Sequence, residues 1–245
     1  MSVTSIEWAD RTLNPWTGCE KVSPGCDHCY AETFAERWRG VPGHAFEHGF
    51  DLTMHMDRLD ALLRVRKPSR FFVNSMSDVF LRGVPDKEIE LLYLAMLGAP
   101  KHEFLVLTKR PERMRRVVAS LLRFYKRAEN VWWGVSIESN AYAWRADMLR
   151  ETPAAVRWIS AEPLLGPLDA VDLTGIDWLV CGGESGHGAR PMEPAWARDL
   201  RDRCVAAGIP FFLKQLGGPR DKRGGEAAVL DGRRWLEYPR SAGAR

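Results

Sequence analysis

Three of the five cysteines in this 245-residue chain, Cys19, Cys26 and Cys29, fall within one short stretch, TGCEKVSPGCDHCYAETFAERW, residues 17–38. Thiols this close can pair as disulfides, ligate a metal or form a redox couple. An odd cysteine count with three thiols bunched together argues against a disulfide framework and for metal or redox chemistry. The spacing is C-x6-C-x2-C. Three thiolates from one loop can hold three irons of a [4Fe–4S] cluster and leave the fourth iron open to a ligand, whereas a structural zinc site closes a tetrahedron with four protein ligands. His28 is the only nearby candidate for that fourth ligand, and it would have to fold back onto the ion its neighbours bind; no second C-x2-C occurs. The readings, in order, are an open iron–sulfur site, a zinc site and idle thiols. Cys181 and Cys204 fall in a predicted strand and a predicted helix and read as core residues.

The elements that must position this loop alternate along the chain. Apolar, β-branched or aromatic runs at 70–75, 103–108, 131–137, 156–161, 177–183 and 210–215 predict buried strands, with a first strand near 12–18. Helices are predicted from about Tyr30, over 86–97 with acidic residues in its first turn, over 140–152 with Asn140 as N-cap, and over 193–208 with Gly208 as C-cap. Repetition of strand, helix, strand builds a parallel sheet. About seven β units predict an α/β fold, a parallel (β/α) barrel or partial TIM-like barrel, as a single domain over 1–218. Residues 219–245 read as a basic C-terminal tail, with seven Lys or Arg against four acidic residues.

Nearly every predicted strand ends in polar or glycine residues, where α/β enzymes place their chemistry. They are Asn74, Ser75, Ser77 and Asp78; Thr108 and Lys109; Ser136 and Glu138; Ser160 and Glu162; Gly182, Gly183, Glu184 and Ser185; and Lys214 with Gln215. Any one of these serves as a cap or turn residue. Six strand ends behaving alike predict a shared polar cavity. Its carboxylates, Asp78, Glu138, Glu162 and Glu184, also fit a metal-independent hydrolase or transferase.

The formal net charge of +3 is small, but residues 109–127 hold eight Lys or Arg against one Glu, a local charge of +7. Met114, Val117, Val118, Leu121, Leu122 and Tyr125 follow a helical rhythm and predict that Arg116, Arg123, Lys126 and Arg127 share the opposite face. That face is either solvated or a stripe for nucleic-acid phosphates. Trp132, Trp158 and Trp178 lie in predicted strands and read as core. No apolar run approaches the roughly 18 residues of a membrane span, and the first twenty residues lack a signal peptide's apolar centre. A cytoplasmic protein is expected.

A three-cysteine loop after the first strand of a β/α barrel, with an aromatic directly after the last cysteine as in CDHCY, resembles the radical S-adenosylmethionine (SAM) superfamily. The usual spacing there is C-x3-C-x2-C, so this loop carries three extra residues between Cys19 and Cys26. NPWTGCEKVSPGCDHCYAE together with LTKRPERM, ISAEPLLGP and GGESG is similar, along nearly the whole chain, to a family of phage and bacterial proteins known by this three-cysteine motif. The resemblance implies a [4Fe–4S] cluster on Cys19, Cys26 and Cys29, SAM on its open iron, and an electron donor such as flavodoxin or ferredoxin. By position it implies Asn74, Ser75 and Asp78 at the amino group of SAM, and Ser136, Glu138, Ser160 and Glu162 at its ribose and carboxylate. LVLTKR followed by WGVSIES is similar to the third and fourth strands of spore photoproduct lyase, which repairs DNA. Lys109 and Glu184 are the candidate catalytic residues, and DNA or RNA, in repair or modification, is the implied substrate class. A zinc- or cluster-stabilised nucleic-acid-binding module without catalysis is the alternative.

Overall fold

The computed structural model describes residues 2–218 and 228–239. Strand β1 (Ser2–Val3) runs antiparallel to β2 (Arg11–Leu13). A separate antiparallel pair, β3 (Trp16–Thr17) and β4 (Thr53–Met54), stands apart from the main sheet. Beyond it come β5 (Arg70–Val73), β6 (Glu103–Thr108), β7 (Val131–Ser136), β8 (Val156–Ala161), β9 (Trp178–Gly182) and β10 (Phe211–Gln215). From β2 to β10 each strand of the main sheet lies parallel beside its predecessor, so seven parallel strands curl in one direction into a half-barrel. Strand order never reverses, which separates this sheet from the doubly wound type. The sequence predicted this class, and the barrel stays open.

The free edge of β10 is covered from the stretch expected as a tail. Leu213 donates its N–H to Trp235 O at 2.8 Å and Glu237 donates to Phe211 O at 3.2 Å. Strands β11 (Val229–Leu230) and β12 (Arg233–Arg234) form a hairpin there, and Ala228, Leu230 and Trp235 join the core. Residues 219–227 and 240–245 of that stretch lie outside the described residues.

Five α-helices connect these strands: α1 (Tyr30–Glu36), α2 (Asp86–Leu97), α3 (Pro111–Leu121), α4 (Trp144–Glu151) and α5 (Pro194–Ala207). Helix α5 ends on Gly208 at φ +69°, the left-handed cap its sequence predicted. Asn140 departs from expectation: it opens a 3-10 turn, and its amide bonds Asp169 and the backbone of Ala170 instead of capping α4. Helix α3 departs further. It stops at Leu121, so Arg123, Lys126 and Arg127 lie beyond it and share no helical face with Arg116. Tertiary contacts decide that end: Tyr125 packs on the core and donates to Glu90 Oε1 at 2.5 Å, while Ala128 is buried on the way into β7. No helix among the described residues is long and apolar enough to cross a membrane.

The period of two sorts the strand side chains between two cores. Phe71, Val73, Phe104, Val106, Val131, Trp133, Val135, Ile159, Leu179, Phe211 and Leu213 pack with the helices, together with Cys181 and Cys204. The alternate positions, Phe72, Leu105, Trp132, Trp158, Trp178, Val180 and Phe212, pack with Trp8 on the opposite face. Trp158 lies 5.3 Å, centroid to centroid, from both Trp8 and Trp178. Gly134 is glycine for this reason: a Cβ there would lie 2.4 Å from the Trp158 ring. The tryptophans read as core are core.

Candidate functional site

Continuing the inner stripe of each strand toward its C-terminal end replaces tryptophan with polar groups. Lys109 follows Leu105 and Leu107, Ser136 follows Trp132 and Gly134, Ser160 and Glu162 follow Trp158, and Lys214 follows Phe212. The polar groups expected at the strand ends therefore share one face, above the aromatic layer.

The cysteine loop lies over this rim and is tied to it at several points. Gly18, at φ +90°, starts the loop; a Cβ there would lie 2.3 Å from Asp51 O, so only glycine fits. Its N–H donates to Met76 O at 3.0 Å, and its carbonyl accepts from Ser77 Oγ at 2.5 Å. Pro24 opens a short 3-10 turn ending at Cys26, and Cys29 caps α1. Tyr30 donates its hydroxyl to Ser75 O at 2.6 Å. Gly25 donates weakly to Glu138 Oε1 at 3.4 Å, and a Cβ on it would lie 3.3 Å from Lys109 Cε. On the β6 side Arg110 reaches Cys19 Sγ at 3.7 Å and donates to Glu20 O at 2.9 Å. On the β9 side Arg190 donates to Pro24 O at 2.9 Å and to Glu184 Oε1 at 2.5 Å, and His28 Nδ1 lies 2.9 Å from Glu184 Oε2.

All three loop cysteines are free thiols, half-buried. Burial pushes the Cys19 thiol up to about 11; Asp78 adds to the rise and Arg110 opposes it. A metal binding there must expel that proton. Among the described residues no three His, Cys, Asp or Glu side chains gather around one point as a single ion requires. A [4Fe–4S] cluster makes a different demand, because each thiolate binds a different iron, and three soft thiolates on one loop suit it. Cys181 and Cys204 are fully buried among apolar groups, which raises both thiols, and they lie in the helix-facing core.

The expected site residues divide by what they already hold. Asp78 accepts from Phe80 N, Thr108 Oγ1, Lys109 N and Arg110 Nη1 at 2.7 to 3.2 Å, so its carboxylate locks β5 to β6 and has no capacity for a cofactor. Ser75 exchanges hydrogen bonds with Asn14 at 3.2 Å. Glu138 is buried against Arg145 at 2.9 Å, an ion pair inside the protein. Glu184, expected in catalysis, is instead the anchor of the loop. Burial alone would raise its carboxyl, but the Arg190 side chain and N–H, with His28, bring it down to about 2. Gly182 and Gly183 before it are structural: a Cβ on Gly183 would lie 2.2 Å from Leu216 O.

Two groups are left open. Asn74 is 2% exposed, sits at φ +57° and has no partner for either amide atom. Asparagine adopts this left-handed region more readily than most residues, so the feature that stands out is the buried amide without a partner. The Lys109 ammonium has no hydrogen bond or ion pair among the described residues. Further along the sheet, at the end of β8, Ser160 donates to Glu162 Oε2 at 3.1 Å, and Lys214 of β10 lies 2.7 Å from Glu162 Oε1. Ser136 is buried beside them on β7. Sequence reading missed Arg110, Arg145 and Arg190 as the cations that fix the rim. Only Arg145 left a trace, a charge next to Ala146 on the buried side of α4.

No curated protein and no solved structure matches this chain. One family model does, over residues 3–239, and the chain belongs to that family, described as protein of unknown function (DUF5131).

Proposed function

We propose that this chain is a radical SAM enzyme whose [4Fe–4S] cluster is held by Cys19, Cys26 and Cys29. The observation that carries the reading is the setting of three unpaired thiols on one loop, clamped over strand ends that carry two unpartnered groups, Asn74 and Lys109. When bound and reduced by a flavodoxin- or ferredoxin-like donor, the cluster supplies the electron that cleaves SAM to methionine and a 5′-deoxyadenosyl radical. The chain's own residues bind, orient and exclude water. The Lys109 ammonium suits the carboxylate of SAM, and the Asn74 amide offers both a donor and an acceptor to its polar end. Ser136, Ser160 and Glu162 stand on the neighbouring strands, on the same face, for the ribose. The tryptophan layer lies beneath them.

The hydrolase reading is disfavoured by pairing. Asp78 with Arg110, Glu138 with Arg145, Glu162 with Lys214 and Glu184 with Arg190 leave none of the four carboxylates free as a general acid. Nucleic acid or a nucleotide is the proposed substrate class, supported by the arginines gathered at the start of α3 near the cysteine loop, Arg110, Arg113 and Arg116.

Anaerobic reconstitution with iron and sulfide tests the reading. The expected protein is brown, loses its iron and sulfide in each of Cys19→Ala, Cys26→Ala and Cys29→Ala, and forms 5′-deoxyadenosine from SAM under reductant. Full iron in Cys26→Ala, or no 5′-deoxyadenosine from a fully loaded wild type, overturns it.

A further inference from the structure

Phosphate groups of a substrate are expected where positive charge is both exposed and unspent. Most arginines of this chain fail that condition. Arg70 pairs with Glu103 and Arg127 with Glu129, so both arginines that line the large depression at the N-terminal ends of the strands are already paired. Lys126 lines the same depression, at the opposite end of the sheet from the cysteine loop.

A second cleft, of about 510 Å³, is different. Phe80, Arg82, Arg110, Glu112, Arg113 and Arg116 line it. Arg110 connects it to the cysteine loop through Cys19 and Glu20. Arg113 donates to Leu81 O, to Val84 O and to Asp86, which fastens the loop carrying Arg82 to the helix carrying Arg116. Asp78 and Asp86 balance Arg110 and Arg113. Arg82 and Arg116 are exposed, form no ion pair among the described residues, and share the cleft with one carboxylate, Glu112. Two free guanidiniums on a fixed frame match phosphate oxygens in geometry and charge. On the other flank of the cysteine loop, α1 and the residue pair after it expose Tyr30, Phe34 and Trp38, spaced to fall on one side of the helix. Trp38 is already stacked on His44 at 4.2 Å and Phe34 packs edge-on against Phe46, so the cationic cleft alone carries the phosphate reading.

We infer that Arg82 and Arg116 grip the phosphodiester backbone of a nucleic-acid strand and lead it past Cys19 to the polar strand ends. The inference rests on the proposed substrate class. It does not need the cluster, so binding is measured on iron-free protein and its failure is distinct from a failure of SAM cleavage.

Fluorescence anisotropy with labelled single-stranded and duplex DNA and RNA oligonucleotides, over a range of salt, is the test. Wild type is expected to bind at low salt, and Arg82→Ala with Arg116→Ala to bind roughly tenfold or more weakly. The slope of log affinity against log salt should flatten by about 1.4 for single strands or about 1.8 for duplex, two phosphates' worth. Arg82→Lys with Arg116→Lys should keep most of the slope. Arg123→Ala with Arg127→Ala should leave binding unchanged, since those residues lie past the end of α3. An unchanged circular-dichroism melt shows that the alanine pair still folds. Absence of wild-type binding to every oligonucleotide, or an equal loss in the Arg123/Arg127 variant, overturns the inference. So does displacement of the strand by inorganic phosphate at an equal phosphate concentration, which would make the cleft a site for isolated anions.

Discussion

The two halves of the concave face come from the same strands by the same alternation, yet they are built on opposite terms. Below, Trp8, Trp132, Trp158 and Trp178 pack edge to face and tilted, with Gly134 giving up its side chain to admit Trp158. The layer is closely packed, with the Trp8 indole N–H left without a hydrogen-bond partner. Above, each strand ends in a polar residue, and the charges are first paired, as Glu138 with Arg145 and Glu184 with Arg190, and then left open, as at Asn74 and Lys109. The contrast separates what holds the half-barrel together from what it holds ready. Unsatisfied groups are tolerated above because the aromatic layer supplies the stability below.

The largest expected effects test whether the halves are separable. Trp158→Ala removes a buried ring and should cost about 3 to 5 kcal/mol in urea unfolding. Arg145→Ala should cost a similar amount, about 3 to 5 kcal/mol, because it strands the buried Glu138 carboxylate. The two should differ in thiol reactivity. Glu138 touches Gly25 of the cysteine loop, so Arg145→Ala should speed alkylation of Cys26 under native conditions, and Trp158→Ala should not. Equal acceleration in both would show that the halves open as one unit.

A smaller effect concerns the clamp on the loop. The Glu184 carboxyl is depressed to about 2 from an ordinary 4.5, so its stabilising contribution is complete above about 4.5 and is lost as pH falls through about 2. Glu184→Gln should be less stable than wild type near neutral pH by about 1.5 to 3 kcal/mol, the worth of a charge-assisted hydrogen bond. The difference should vanish as the pH approaches 2. A gap that stays constant from neutral pH down to about 2 would mean that the charge of Glu184 does not carry the clamp.

The smallest effect on stability belongs to the open position. Asn74→Gly removes an unpartnered amide and relieves the left-handed backbone, so stability should stay within about 1 kcal/mol of wild type. SAM affinity of the reconstituted protein, by calorimetry, should fall about tenfold with the lost hydrogen bonds. A large loss of stability with unchanged affinity would move Asn74 to the structural side of the comparison.

Regions whose signal is local were legible in the sequence. Strands 103–108 and 156–161 and the helix 86–97 emerge with the bounds their apolar runs and acidic first turn predicted. Polar residues recurring at strand ends gave away the polar rim, because parallel strands bring their C-terminal ends to one side. The end of α3 was not legible: its apolar rhythm runs on through Leu122 and Tyr125, and only the contact of Tyr125 with Glu90 and the turn into β7 break the helix.

What the sequence determined by itself, then, is the parallel α/β class, the polar residues at the strand ends and the three thiols on one loop beside them, since each follows from periodicity or spacing within a few residues. Tertiary structure alone decided the role of each charge. Glu184 became an anchor and Asp78 a lock because cations from elsewhere reach them: Arg190, six residues on from Glu184, and Arg110, 32 residues on from Asp78. Asn74 and Lys109 stayed open because no such partner arrives among the described residues. An ionic partner is chosen by distance in space, and the loops that set this distance leave no periodic signal in the chain.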